Sequence, residues 1–205
     1  MILALLKPQK VIEGKKMKVI FLDFDGVITT LESRWRIDIE KVRLVEKLCD
    51  DTDANIVVSS TWRAGHENAE SFKNELVRKL GDNAKSCGKF LGRIVDITDR
   101  NGSCRGDEVG GYLDSHRDIE EYVIIDDDSD FLDEQLFNFV QTDYIEGITE
   151  REVKLCRQVL NGERIQNPIR LNFELRYLWR LEHSIPRVSN PIDRLYMTYL
   201  KKFQN

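Results

Sequence analysis

The chain has 205 residues, enough for one domain and a short appendage. Its 41% hydrophobic residues supply a sizeable core, and a net charge of −5 excludes a surface that binds polyanions throughout. The charge is uneven. From Arg164 onward eight Lys/Arg face three acidic residues, a surplus of five, so the first 163 residues carry −10. Cys49, Cys87, Cys104 and Cys156 form no CxxC pair, so zinc is not expected and reduced thiols fit a cytoplasmic protein. No apolar run is long enough to span a membrane, and Lys7 and Pro8 cut the apolar start too short for a signal peptide. The spacing divides the chain into an N-terminal extension (1–16), a body (17–163) and a basic appendage (164–205).

The first element organises the rest. Val19 to Leu22 is too short an apolar run for a helix and suits a strand buried on both faces. It ends in Asp23-Phe24-Asp25-Gly26. Alternation places the two carboxylates on one side, where they repel unless a proton or a hard cation such as Mg²⁺ intervenes. Gly26 permits a sharp exit. Thr29 to Ile37 is polar and carries Arg34-Trp35-Arg36. Asp38 reads as the N-cap of a helix over Ile39–Cys49, and Ala54–Val58 as a second buried strand ending in Ser59-Ser60-Thr61-Trp62-Arg63. A helix is expected from about Asn68 to Leu80, stopped by Gly81. Phe90–Ile97 reads as a third strand interrupted by Gly92, and Asp99–Cys104 as a loop.

Arg105–Leu113 begins a helix weakened by two glycines. Glu121–Ile125 is a fourth buried strand running into Asp126-Asp127-Asp128-Ser129-Asp130. Asn138–Gln141 reads as a short fifth strand, and Thr149–Leu160 as a helix capped by Thr149. Strands alternating with helices predict an α/β fold with a central parallel sheet and ligands at the carboxyl ends of its strands, where every polar cluster falls. Beyond residue 170, leucines and aromatics at helical spacing on both sides of Pro191 predict an αα appendage, which packs on the body or on a second copy as a homo-oligomer contact.

DFDGV, with Asp23 and Asp25, resembles the first motif of the haloacid dehalogenase (HAD) superfamily. The Ser59/Ser60 strand end resembles its second motif, Arg105 its third and Asp126-Asp127 its fourth. SSTWR, CRGDEV and VIIDDDSDF together look most like the HAD domains associated with RNA repair proteins. The resemblance covers about Lys18 to Asn161. It implies a Rossmann-like three-layer fold with a minimal cap, a helical squiggle and β-hairpin flap after the first motif, and Mg²⁺-dependent phosphomonoester hydrolysis. In that reading Asp23 attacks phosphorus and Asp25 is the general acid and base. Asp23, the Asp25 backbone carbonyl and Asp126 or Asp127 hold the metal. Ser59, with Ser60 as the alternative, contacts a phosphate oxygen, and Arg105 adds charge to the phosphoryl group.

Trp62 reads as core or as a stacking partner for a base. The pairs Trp62-Arg63 and Arg34-Trp35 are candidates to stack a base or clamp a second phosphate, and Lys85 and Lys89 compete weakly with Arg105. His66, His116 and His183 show no pairing pattern, which favours surface or packing roles. The short segments between the motifs leave no room for a large cap, which suits a polymer end such as an RNA or DNA 3′- or 5′-phosphate. A small-molecule (nucleotide) phosphatase, a phosphotransferase and a non-catalytic binding module are the alternatives.

Overall fold

The chain divides into two units, residues 1–165 and 166–205, and the computed structural model describes residues 16–165. Residues 1–15 of the expected extension, and the αα appendage from Leu171 onward, lie outside the described residues.

Five parallel strands form one sheet in the order β3-β2-β1-β4-β5. They are β1 (Met17–Leu22), β2 (Asn55–Val58), β3 (Ile94–Ile97), β4 (Ile119–Asp126) and β5 (Phe139–Gln141). The central strands are continuous apolar runs because both their faces are covered. One face buries Ile20, Leu22, Ile56, Val58, Val123 and Ile125. Against it lie α1 (Ile39–Thr52), α2 (Ala69–Leu80), α3 (Gly88–Arg93) and α5 (Glu150–Leu160). The other face, with Val19, Phe21, Val57 and Ile124, takes α4 (Arg105–Ser115) through Val109, Tyr112 and Leu113. This is a three-layer, Rossmann-type α/β fold.

Local chemistry starts the helices where the sequence places them. The Asp38 side chain accepts from Glu40 N at 2.9 Å, and Asn68 from Ser71 N at 2.9 Å. Thr149 and Glu152 form a reciprocal capping box at the start of α5. Gly81, at φ +55°, ends α2. α1 runs to Thr52, one turn beyond the expected end, and stops at Asp53 in the left-handed region.

Two segments depart from the sequence reading. The run Phe90–Ile97 is half helix: α3 precedes β3. Glu46 of α1 accepts from Phe90 N at 3.0 Å, and Phe90 is fully buried. A tertiary contact thus stabilises a helical turn where local spacing suggested a strand. After β1, residues 26–37 form turns joined by bridges Asp25–Thr29 and Thr29–Ile37, without hairpin strands. Arg34 and Trp35 both take positive φ, as residues of a tight turn do.

Leu48 on α1 is fully buried against this core. Leu48→Ala is expected to cost about 2–5 kcal/mol, read from the midpoint of urea unfolding; a loss within about 0.5 kcal/mol would contradict the packing.

Candidate active site

Main-chain hydrogen bonds carry the sheet one residue past its strand ends. Asp23 N donates to Ile125 O (3.0 Å), Ser59 N to Leu22 O (2.9 Å) and Thr98 N to Val58 O (3.0 Å). Thr142 N donates to Asp126 O at 3.0 Å. These bonds fix the polar residues after β1, β2 and β4 side by side along one edge.

Asp23, Asp126 and Asp127 each offer a carboxylate oxygen within 4.8 Å of the other two. Asp23 and Asp126 are buried, and Asp23 Oδ1 has no hydrogen-bond partner. Burial raises Asp23 above the usual carboxylate range, while Arg105 and the Ser60 hydroxyl pull it back. Burial also raises Asp126 well above its ordinary value, and the neighbouring Asp23 charge adds to this. Asp127 is pushed up to about 6, again by burial first and then by the Asp23 and Asp128 charges. Three hard oxygen donors that repel one another, one of them without a hydrogen bond and met only by Arg105 at 3.5 Å, fit a Mg²⁺-type cation. Gly26 makes room for the third donor: at φ +71°, a Cβ there would overlap the Asp127 carboxylate. Asp128 and Asp130 act differently. Asp128 N donates to Asp126 Oδ1 at 2.8 Å, and Asp130 Oδ2 accepts from Arg105 N at 2.9 Å, holding the start of α4.

Arg105 faces the acids. Its Nη1 donates to Ser59 O, lies 3.2 Å from Asp126 Oδ2 and is 3.5 Å from Asp23 Oδ1. Burial lowers its pKa, but the Asp126 and Asp23 charges outweigh this and raise it overall. Glu108, one turn along α4, sits 4.0 Å from Arg105 Nε. Lys85 and Lys89 are exposed, and Lys89 pairs with Asp50 at 3.0 Å away from the site.

Asp25 stands apart from the three converging carboxylates. Trp62 Nε1 donates to both its oxygens at 3.0 Å. The Thr29 hydroxyl lies 2.7 Å from Asp25 Oδ1 and 3.1 Å from Phe24 O, with one proton to share between them. Trp62 rides on the 3₁₀ turn Thr61–Arg63, which Ser60 caps by accepting from Trp62 N at 3.3 Å. Its ring packs on Phe24 at 5.3 Å, with Lys79 4.9 Å above it. Trp62 thus packs against the core, as one of its two expected roles has it, and is also a donor aimed at a carboxylate. Sequence reasoning missed this role, as it missed Thr29 and Glu108. For Glu108 the signal was present in the i, i+3 spacing from Arg105.

The remaining candidates separate by burial. Ser59 Oγ is buried with no partner, whereas Ser60 is engaged as the cap. Arg63 is 3% exposed, and its guanidinium is committed to Ser60 O, Thr98 O, Asp99 O and an ion pair with Glu108. It braces the ends of β2 and β3 against α4. Trp35 is 50% exposed on the turns beyond β1. His66 pairs with Glu75 at 3.1 Å, and His116 stacks on Tyr112 at 3.9 Å. His183 lies outside the described residues. Among the described residues no helix is long and apolar enough to cross a membrane.

The acid cluster has a testable signature. A carboxyl whose pKa is raised on folding holds its proton more tightly in the folded chain. Its contribution to stability is present below the ordinary value of 3.8 and is lost as pH rises through about 6. Asp127→Asn is expected to raise the melting temperature of the metal-free protein at pH about 7.5 and to change it little near pH 4. Mg²⁺ is expected to raise the wild-type melting temperature more at pH about 7.5 than near pH 5, where protons compete for the same oxygens. A Mg²⁺ effect independent of pH would count against this cluster as the site.

Neither the comparison with curated proteins nor that with solved structures returns a match. Residues 19–153 match the family model described as the HAD domain in Swiss Army Knife RNA repair proteins. That span holds β1 from its third residue and all of β2 to β5, together with the acids, the serines and Arg105, and the chain belongs to this family.

Proposed function

We propose that this domain is a Mg²⁺-dependent phosphatase that hydrolyses phosphate monoesters at polynucleotide ends through an aspartyl-phosphate on Asp23. One observation carries the reading. Two aspartates two residues apart meet different partners: Asp23 sits among acids and Arg105, and Asp25 is bonded by Trp62 and Thr29. Carboxylates whose environments differ in this way can divide nucleophile and acid/base roles between them.

Asp23, Asp126 and Asp127 would hold the cation, with the Asp25 backbone carbonyl as a further donor. When bound, the cation supplies positive charge that keeps these acids ionised and offsets the charge of the phosphoryl oxygens. Arg105 adds a fixed guanidinium on the same side, and the unpartnered Ser59 hydroxyl is free to donate to a phosphate oxygen. An Asp23 oxygen forms a bond to phosphorus as the bond to the leaving oxygen breaks. Asp25, protonated, gives its proton to that oxygen. Asp25 then takes a proton from water, whose oxygen attacks phosphorus and breaks the bond to Asp23, releasing inorganic phosphate.

The RNA-repair description of the family supports a nucleic-acid substrate. The surplus of five positive charges from Arg164 onward would favour a polyanion. Residues 164–205 form a separate basic appendage in this reading, and the apolar residues at helical spacing within it, not its charge, are the ground for proposing it as a place where copies associate. Transfer of the phosphoryl group to an alcohol would use the same first step.

Asp23→Asn is expected to lower turnover of a phosphorylated oligonucleotide by about a thousandfold or more with the circular-dichroism spectrum unchanged. A variant that still hydrolyses the ester would remove Asp23 as nucleophile. Trp62→Phe keeps the ring on Phe24 but removes the donor to Asp25. Hydrolysis of alkyl phosphates is expected to fall about ten- to a hundredfold, and that of p-nitrophenyl phosphate, whose leaving group needs no proton, much less. Equal losses on both would mean that Trp62 does not act through Asp25.

A further inference from the structure

Seven large apolar side chains are exposed among the described residues, and four of them, Leu31, Trp35, Tyr144 and Ile145, fall on two neighbouring turns. The turns are fastened to each other: Leu31 N donates to Tyr144 O at 3.1 Å and Glu32 N to Ile145 O at 3.3 Å. They also frame the chain just after Asp25. Thr142 Oγ1 donates to Gly26 O at 2.8 Å, and Ile148 N to Val27 O at 3.0 Å. Gly147, at φ +76°, lies so close to Val27 O and Thr30 that a Cβ there would overlap both. The patch is thus part of the rim of the candidate site, on its β1–β5 side.

It is also built in advance. Thr30 N donates to Ser33 Oγ at 2.9 Å and Ser33 N to Thr30 Oγ1 at 3.1 Å. Trp35 N donates to Thr30 O at 2.8 Å, holding Arg34 and Trp35 in the left-handed region. A stacking surface already ordered loses little further entropy when a ligand arrives.

The β3 side of the site is chemically opposite. A cavity of about 720 Å³ there is lined by five acids, among them Glu67, Asp99 and Asp107, against Arg63 and Arg100. Arg63 is already committed to Glu108. With that pair set aside, four acids stand against Arg100, a lining unfavourable to a phosphate backbone. The β1–β5 rim offers aromatic and aliphatic surface with Arg34 and Arg36 beside Trp35. Glu32, Asp143 and Glu146 on the same turns make it unsuited to a continuous run of phosphates, so its chemistry favours base faces.

We propose that Leu31, Trp35, Tyr144 and Ile145 seat the unpaired nucleobases next to the scissile phosphate, so that the substrate is a single-stranded polynucleotide end. The proposal rests on the phosphatase reading and names its substrate class. Stacking on such a surface is tolerant of base identity, because every base has a face to offer, whereas bases inside a duplex keep their faces for each other.

The test uses the full chain with Mg²⁺ and three substrates: a phosphorylated single-stranded oligonucleotide, the same oligonucleotide with abasic positions next to the phosphate, and p-nitrophenyl phosphate. The base-bearing substrate is expected to exceed the abasic one by about 5- to 150-fold in kcat/KM. Trp35→Ala and, separately, Tyr144→Ala are expected to bring that ratio towards one, and Trp35→Phe to restore much of it. Binding of the two oligonucleotides without Mg²⁺, followed by fluorescence anisotropy, gives the same comparison without turnover. Hydrolysis of p-nitrophenyl phosphate with no preference for bases would overturn the patch and leave the phosphatase reading standing. Base-dependent binding with no hydrolysis of any ester would support the patch and overturn the phosphatase reading. A Trp35→Ala protein that loses self-association while keeping the base ratio would assign the patch to a second copy and overturn the proposal.

Discussion

The site depends on one electrostatic conflict. Asp23, Asp126 and Asp127 converge at the carboxyl ends of the strands, and burial raises the pKa of all three. Left alone, the group must bind protons or separate. The fold keeps Asp23 and Asp126 adjacent, because Asp23 N and Thr142 N are tied into the extended sheet and Asp128 N holds Asp126. What remains is neutralisation. Arg105 supplies part of it from the first residue of α4, while Asp130 holds the backbone of Arg105 in place. A bound divalent cation would supply the rest.

Several neighbouring features read as consequences of that conflict. Gly26 yields the space that a side chain would take from Asp127. Asp25, close in sequence to Asp23, is bonded by the indole N–H of Trp62 and the hydroxyl of Thr29, while its charge still acts on Asp23 and Asp127. Two acids separated by one phenylalanine therefore meet different partners. Phe24 itself, fully buried and packed against Trp62, Phe72 and Phe90, anchors the link between them. Behind this front Arg63 ties the ends of β2 and β3 to Glu108 of α4. The residue that sequence reasoning offered to the substrate supports the scaffold instead.

The surroundings of the site are asymmetric. On the β3 side the cavity wall is rich in carboxylates; on the β1–β5 side two turns expose aromatic and aliphatic surface beside Arg34 and Arg36. Both sides carry more acids than arginines, so what separates them is the aromatic and aliphatic surface of the β1–β5 turns and not their net charge. No large cap is inserted between the motifs among the described residues, so specificity would fall to the short turns and to the substrate's own shape.

Most of the fold was legible in the chain. Continuous apolar runs marked β1, β2 and β4, and the residues expected to cap α1 and α5 do so. Asp23, Ser59, Arg105 and Asp126 could be placed at element ends because those ends are where polar residues interrupt the apolar pattern. Long-range contacts decided the rest. Phe90 sits in a helix because Glu46 on another element accepts its N–H. Trp62 donates to Asp25 and Arg63 pairs with Glu108 across 37 and 45 residues of chain. Periodicity reports which way a side chain faces along its own strand or helix. Which acid meets which partner follows from the order of strands in the sheet, and only packing sets that order.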